Sequence, residues 1–533
     1  MAKEIEKANE EEEEEDSAVR LLREMGYKQE LYRGFAPFMS FTFCFTAVNV
    51  LASITIGFSL SLKTGGSAIA IWSWFLSSIF TILVGLSFAE ICSVYPSAGS
   101  VYHWAGELMT ARYAPLACFI CGWFNFIGNV MGDVAMSSGF ATMLNTAMII
   151  SGNSSLSTGV QTGISIGMTF IWVTTNALRI DQQGWIHTLA TGIQIGGVII
   201  IATVLFTMAR QQATAEDVFT STYNGTGFPF IYVCFIGVIP ALFAFSGYDS
   251  GAHLAEETRD ASRATPKGIV GTCICSAVAG ATFLLALLFS IPNVRSFVES
   301  NQYSGSELNL AIATCQLAVP SPGPLLLTIL LLVNMYFAGM SSLTGTSRIS
   351  FAMARDGVLP FSAILRWIFQ PTKSPIATLI FIFILESSFL LLQLAEPTAF
   401  NAFLASNTLG LQISYGIPVL LRCTVARNCF VLGEFNLGRF GQPIAVISSA
   451  WLFITAFIMF FPFQYPVTSN NMNYAVVIIG GTSLVAAVYW IVSARHWFLG
   501  PKRTHIDSTP LLPVQGLNKE SNEGLPSSDS VRP

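Results

Sequence analysis

Residues 239–268 read Ile-Pro-Ala-Leu-Phe-Ala-Phe-Ser-Gly-Tyr-Asp-Ser-Gly-Ala-His-Leu-Ala-Glu-Glu-Thr-Arg-Asp-Ala-Ser-Arg-Ala-Thr-Pro-Lys-Gly. The stretch begins inside an apolar segment and ends in a charged one. Between them Ser246, Gly247, Ser250 and Gly251 weaken a membrane-length helix beside Phe243, Phe245, Tyr248 and the carboxylate of Asp249. A helix broken at mid-membrane depth exposes backbone N–H and C=O groups that hydrocarbon cannot satisfy, so they must face protein or a water-filled cavity. The stretch is therefore a candidate binding site.

Composition sets the class. The chain of 533 residues is 52% hydrophobic and 11% charged, against about 25% charged in a soluble globular protein. That predicts an all-α polytopic membrane protein. The net charge of -5 is concentrated in the tails, and the unbroken acidic run from Glu10 to Asp16 reads as a solvated segment. Ten cysteines lack the paired spacing of a zinc site or disulfide framework and read as small packing residues. No cofactor or metal is expected.

Segments of about 20 apolar residues, enough to cross the hydrocarbon core, recur. Twelve are expected, near 37–60, 68–92, 114–149, 160–176, 188–208, 229–255, 269–291, 325–353, 376–394, 399–421, 444–463 and 474–493. The first thirty-odd residues carry no apolar core with a cleavage site, so no removable signal peptide is expected and both termini are placed in the cytoplasm. Lys and Arg support that orientation: only Lys63, Arg210 and Arg295 fall outside, while residues such as Arg259, Arg348, Arg355, Arg422 and Arg439 fall at inner helix ends. Two N-glycosylation sequons, at Asn153 and Asn224, land in outer loops.

The first apolar segment has a feature matching that of the sixth. Ala52-Ser53-Ile54-Thr55 is a patch of small and hydroxyl residues at mid-span. Interrupted segments in corresponding places of two halves point to a secondary-transporter site. The alternative is that Ala52 and Ser53 let another helix pack closely.

Several ordered motifs carry a family resemblance. Leu242-Phe-Ala-Phe-Ser-Gly-Tyr-Asp with the following Ala255-Glu-Glu-Thr-Arg-Asp resembles the sixth-helix signature of amino acid–polyamine–organocation permeases. Phe88-Ala-Glu-Ile-Cys-Ser-Val-Tyr-Pro-Ser-Ala-Gly and Thr346-Ser-Arg-Ile-Ser-Phe-Ala-Met-Ala-Arg-Asp-Gly are similar to family motifs after the second and eighth spans. Phe435-Asn-Leu-Gly-Arg-Phe-Gly and Pro462-Phe-Gln-Tyr-Pro resemble the amino acid/choline branch, with its GABA and choline permeases and bidirectional amino acid transporters.

The resemblance implies a leucine-transporter-type architecture of twelve transmembrane helices. In it, two inverted five-helix repeats, about 37–208 and 229–421, have broken helices 1 and 6, and two extra helices follow at about 444–493. A transporter domain over 34–497 then lies between an acidic tail, 1–33, and a disordered tail, 498–533. It implies that Val50, Leu51, Ala52, Ser53 and Ile54 receive a substrate carboxylate, that Phe243 is an aromatic gate, and that Ala244, Phe245 and Ser246 offer carbonyls to an ammonium. Two departures matter. A lysine that stands in for a coupling ion in some relatives is Gln194 here, which speaks against a lysine switch. Ser341 and Ser342 lie where more distant relatives bind sodium, or else serve as helix-packing serines.

Acids inside a membrane cost at least about 2.5–3.5 kcal/mol and are usually functional. Asp133, Asp249 and Glu386 are the candidates; Glu90, Glu256 and Glu257 fall near the cytoplasmic face. Asp249 and His253, four apart, share a helix face and form a candidate titrating pair. Asp249 is also a candidate cap for the second half of the broken helix.

A secondary active transporter of amino acids or related amines, proton-linked or exchanging, is the expected function, with a sodium-coupled symporter or a non-transporting nutrient sensor as alternatives. No nucleophile–base set, HExxH or GxSxG motif suggests an enzyme, no repeated filter segment suggests a channel, and no nucleic-acid partner is expected. The C-terminal Asp507-Ser-Thr-Pro-Leu511-Leu512 has the form of an acidic dileucine signal for a sorting adaptor, which would direct the chain to a vacuole or lysosome-like membrane rather than the plasma membrane.

Overall fold

The computed structural model describes residues 31, 34–303, 309–395, 399–468 and 471–501. Helix α1 (Pro37–Val48) starts on a proline, which suits a first turn whose N–H has no helical partner, and stops at Asn49. Helix α2 (Val50–Val94) follows at once and bends at Gly66, whose φ of 74° and close approach to the Tyr223 backbone favour a residue without Cβ. Then come α3 (Val101–Leu108), α4 (Ala114–Ile150), α5 (Thr158–Asn176), α6 (Ile180–Met208) and α7 (Ala215–Thr220), the last closed by a Thr214–Asp217 capping box.

The sixth expected apolar segment, 229–255, forms three short pieces, α8 (Phe230–Ile236), α9 (Ile239–Ala244) and α10 (Ser250–His253). The second half of the chain continues with α11 (Ala261–Phe289), α12 (Val294–Tyr303), α13 (Leu310–Ala318) and α14 (Gly323–Arg355). After these come α15 (Ser362–Leu365), α16 (Ile376–Leu390), α17 (Leu392–Ala395), α18 (Ala399–Cys423), α19 (Gly441–Ile458) and α20 (Ala475–Val492). Among the described residues the only strand-like pairings are two isolated bridges, Phe35 with Thr258 and Phe369 with Ser374.

Eight helical runs among the described residues are long and apolar enough to cross a membrane, where the sequence predicts twelve segments. The first of them, 37–94, contains two expected segments joined through bends. Helices α5 and α18 are long but fall outside the eight, and 230–244 is apolar but short. Large apolar side chains such as Ile199, Val278, Ile384, Leu484 and Val488 stand exposed on the outer surface, the inverse of a soluble protein and the pattern a bilayer covers.

Small residues set the inner packing. Helices α4 and α18 approach until a Cβ on Gly410 would lie 2.9 Å from the Gly128 Cα. A Cβ on Gly280 of α11 would strike the Trp74 ring of α2 at 2.0 Å. Without a hydrophobic drive between helices in lipid, such close backbone contact is a main source of association. All ten cysteines are free, and Cys315 is buried in α13.

Candidate functional site

The first interruption falls at Asn49, with φ 28° and ψ 77°, upstream of the small-residue patch that the sequence marks. Residues 52–55 are regular helix: Ser53 Oγ donates to the Val48 carbonyl and Thr55 Oγ1 to that of Leu51. Asparagine tolerates this near-left-handed backbone, and its side chain supplies the cap, accepting from Ala52 N–H at 3.2 Å. Its amide donates to the Asn334 carbonyl of α14 at 3.1 Å, which fixes the break against a neighbouring helix. The N–H groups of Val50 and Leu51 then have no hydrogen-bond partner among the described residues. Ala52, Ser53 and Ile54 follow in the same buried first turns.

The second interruption is the turn between α9 and α10. Gly247, with φ 91°, makes it sterically possible. Phe245 N–H still reaches Ala241 and Ser246 N–H reaches Phe243, but the carbonyls of Ala244, Phe245 and Ser246 accept no hydrogen bond among the described residues. Phe243, Ala244 and Phe245 are buried, while Ser246 and Gly247 keep part of their surface free, so space is left at the turn.

The two interruptions pack against each other. Cys44 Sγ of α1 donates to the Tyr248 carbonyl at 3.0 Å, and Gly251 sits over Ser40 and Cys44. On the other side of the breaks, Gly57 of α2 touches Pro240 of α9. Unpaired donors at the start of α2 and unpaired acceptors at the end of α9 thus belong to one crossing. Aromatic rings surround it: Phe245 stacks on Trp74 at 4.6 Å, and Phe88, Tyr248 and Tyr415 form a cluster with centroids 5.1–5.7 Å apart.

Asp249 holds the N-cap position of α10, yet its side chain makes no cap bond, contrary to the capping role considered from sequence. The carboxylate is spent elsewhere: Oδ1 accepts from Tyr415 at 2.5 Å, and Oδ2 lies 3.2 Å from His253 Nε2, off the line of a hydrogen bond. His253 Nδ1 is 3.1 Å from the Ala98 carbonyl, which requires a proton on Nδ1. Nε2 and Oδ2 are then two acceptors face to face unless a proton stands between them.

A family model of amino acid permeases matches residues 38–482. The chain belongs to the amino acid permease family. It is 33% identical to the amino-acid permease BAT1 of Arabidopsis thaliana over 499 residues, covering 91% of this chain and 96% of that protein. It is similar as well to the BAT1 homolog of Oryza sativa, at 32% over 501 residues and the same coverage. The amino-acid permease 2 of Neurospora crassa is 28% identical over 497 residues, 91% of this chain and 89% of that one. These matches support the resemblance drawn from the motifs, and amino acid permeases are transporters, not an enzyme family.

The remaining candidate residues of the permease fall at other places. Asp133 of α4 accepts from Thr346 of α14 at 2.5 Å and is not at the crossing's contacts described above. Gln194 of α6 is fully buried with neither amide atom hydrogen-bonded; its helix meets α1 at Thr191, which donates to the Thr42 carbonyl at 3.1 Å. Ser341 donates to the Phe43 carbonyl of α1 at 3.1 Å, whereas its neighbour Ser342 turns to Asp133. Asn153 and Asn224 are exposed, and Asn224 donates to the Phe228 carbonyl at 2.7 Å within its own loop. Asp507, Leu511 and Leu512 lie outside the described residues, as do the acidic run and most of both tails.

One feature beside the second break is not evident in the sequence pattern. Next to the second break, Glu257 takes a bidentate pair from Arg348 at 2.8 and 3.2 Å, and Glu256 takes one from Arg355 at 2.9 and 3.1 Å. Glu90 meets Arg422 at 3.2 Å. Burial alone would raise the Glu256 carboxyl, but the charge and hydrogen bonds of Arg355, with the Ala98 N–H, hold it below the ordinary range. For Glu257 burial outweighs Arg348 and the carboxyl is raised. Ala98 connects the two systems, its carbonyl facing His253 and its N–H bonding Glu256. The nearby segment before α1 is pinned too, Phe35 N–H donating to the Glu257 carbonyl at 3.0 Å. Adjacent glutamates and arginines two turns apart on α14 are legible in sequence; their pairing is not.

Proposed function

We propose that the permease is a secondary active transporter of amino acids or related amines that works by alternating access. What carries the reading is the crossing of two broken helices, with free N–H groups on Val50 and Leu51 and free carbonyls on Ala244, Phe245 and Ser246. A zwitterion has the complementary ends. Its carboxylate meets the N–H groups and the positive dipole end of α2, and its ammonium meets the carbonyls. Phe243 closes the site as an aromatic lid and adds cation–π attraction of about 0.5–2 kcal/mol. Ala52, Ser53 and Ile54 shape the carboxylate end.

In this proposal the helices form two inverted repeats with broken first and sixth members and two further helices, twelve crossings in all, with both tails cytoplasmic. The Glu256–Arg355 and Glu257–Arg348 pairs then close the cytoplasmic side. Asp249 and His253 hold one coupling proton between Oδ2 and Nε2, with Tyr415 and the Ala98 carbonyl orienting the two groups. Transport is expected to depend on pH and not on sodium.

Purified permease in proteoliposomes tests this. Radiolabelled amino acid should accumulate under an imposed pH gradient, in potassium buffer free of sodium, and a competition panel of GABA, neutral and basic amino acids, choline and polyamines should identify the substrate class. Binding without accumulation would indicate a sensor, a sodium requirement would move the coupling site to Ser341 and Ser342, and indifference to both ions would indicate a facilitator or exchanger.

A further inference from the structure

Away from the crossing, a second set of buried acids stands between three helices. Asp133 of α4 and Glu386 of α16 are both fully buried and face one another, carboxyl to carboxyl. Two hydroxyls of α14 converge on Asp133: Thr346 Oγ1 donates to Oδ2 at 2.5 Å, and Ser342 lies on the same carboxyl. Glu386 receives neither. Its two oxygens and Asp133 Oδ1 have no donor among the described residues. The only charged group described as facing Asp133 is Glu386, and the only one facing Glu386 is Asp133. Among the groups on other helices packed on α4, the Asn407 amide of α18 donates to the Gly128 carbonyl, and His103 and Glu107 of α3 face each other at 3.8 Å. Arg348, further along α14, is engaged with Glu257.

Two facing carboxylates in a dry interior, with no cation to offset them, cannot both ionise. One proton between them converts two orphaned acceptors into a hydrogen-bonded pair. We propose that Asp133 and Glu386 form a proton-binding site of the permease, separate from Asp249 and His253. The proton resides on Glu386 and is donated to Asp133 Oδ1, because Asp133 is the partner whose charge the α14 hydroxyls stabilise. The site lies where proton binding has a mechanical consequence. Ser342 and Thr346 tie Asp133 to α14, and Ser341 of the same helix is bonded to the Phe43 carbonyl of α1, the helix that ends at the first break. Loss of the proton leaves like charges across the α4–α16 contact and loosens it, so protonation favours the packed arrangement seen here.

Infrared difference spectroscopy on the full chain in lipid vesicles, titrated with pH in light and heavy water, decides the assignment. The expected result is a deuterium-sensitive C=O stretch of one protonated buried carboxyl in the wild type, lost in Glu386→Gln and retained in Asp249→Asn. Asp133→Asn, which leaves Glu386 facing an amide, should shift the band and not remove it, and serves if the glutamine variant does not fold. A band untouched by both Asp133→Asn and Glu386→Gln, a band lost only in Asp249→Asn, or no band at all would overturn the proposal. A flux measurement rests on the transport reading above: Glu386→Gln should move the pH midpoint of uptake by about one unit or more, a tenfold change in proton concentration. An unmoved midpoint would overturn the proposal for the working permease. Vesicles of the wild type that transport nothing would instead count against the transport reading, while the infrared result still decides the proton site.

Discussion

The Tyr415 hydroxyl of α18 donates to Asp249 Oδ1 across 2.5 Å, although the two residues are 166 positions apart. His253 Nε2 lies 3.2 Å from the second oxygen, off the line of a hydrogen bond, so this fully buried carboxylate has one donor and faces a ring nitrogen that needs a proton to become the other. The proposed coupling role predicts that Asp249→Asn abolishes uphill accumulation yet leaves exchange of internal for external substrate, since exchange needs no net proton movement. Counterflow and net uptake in proteoliposomes, with and without a pH gradient, check it. Survival of gradient-driven accumulation would make the carboxylate structural only.

Phe243 is the proposed lid over the substrate. Phe243→Ala should raise the apparent KM by about 2- to 30-fold, the range of a lost cation–π contact, with normal amounts of protein at the membrane. Initial rates of uptake against substrate concentration measure it, and unchanged kinetics would place the lid elsewhere.

The contact of α4 and α18 at Gly128 and Gly410 leaves no room for a side chain. Gly410→Ala should destabilise the permease by about 1–3 kcal/mol, the usual cost of overpacking. Gly481→Ala is the comparison: nothing lies within 4 Å of a Cβ there, so helix propensity alone acts and stability should hold or rise by up to about 1 kcal/mol. Thermal unfolding in detergent separates the two.

Glu256 gives a pH dependence of known sign. Its folded pKa is depressed, with the opposing effect of burial exceeded by Arg355 and the Ala98 N–H. The stabilisation is therefore present above the ordinary glutamate range, about 4.3, and is lost as pH falls through the folded value. Glu256→Gln should lower thermal stability at pH 7 and flatten its decline between about pH 5 and pH 3 relative to wild type. Equal slopes for the two proteins would show that the pair contributes nothing to the closed face.

Apolar segment lengths and the motifs around Phe243–Asp249 were enough to read a membrane transporter and its family, because hydrocarbon forces every spanning backbone into hydrogen-bonded helix and makes each interruption visible as small, polar or glycine residues. The second break follows that rule at Gly247. The first does not: residues 52–55 look weak in one dimension but are regular helix, the Thr55 hydroxyl bonding its own helix at Leu51 and that of Ser53 the end of α1 at Val48, and the chain turns at Asn49 because that side chain caps Ala52 and reaches Asn334 of a distant helix. The i, i+4 spacing of Asp249 and His253 was legible for the same reason that any helix face is, from local geometry. Tyr415 beside Asp249, Arg348 and Arg355 on Glu257 and Glu256, and Glu386 opposite Asp133 join residues from separate helices. Only the packing decides such contacts, since which helix comes to lie against a buried polar side chain is set by the whole fold and not by its neighbours in sequence.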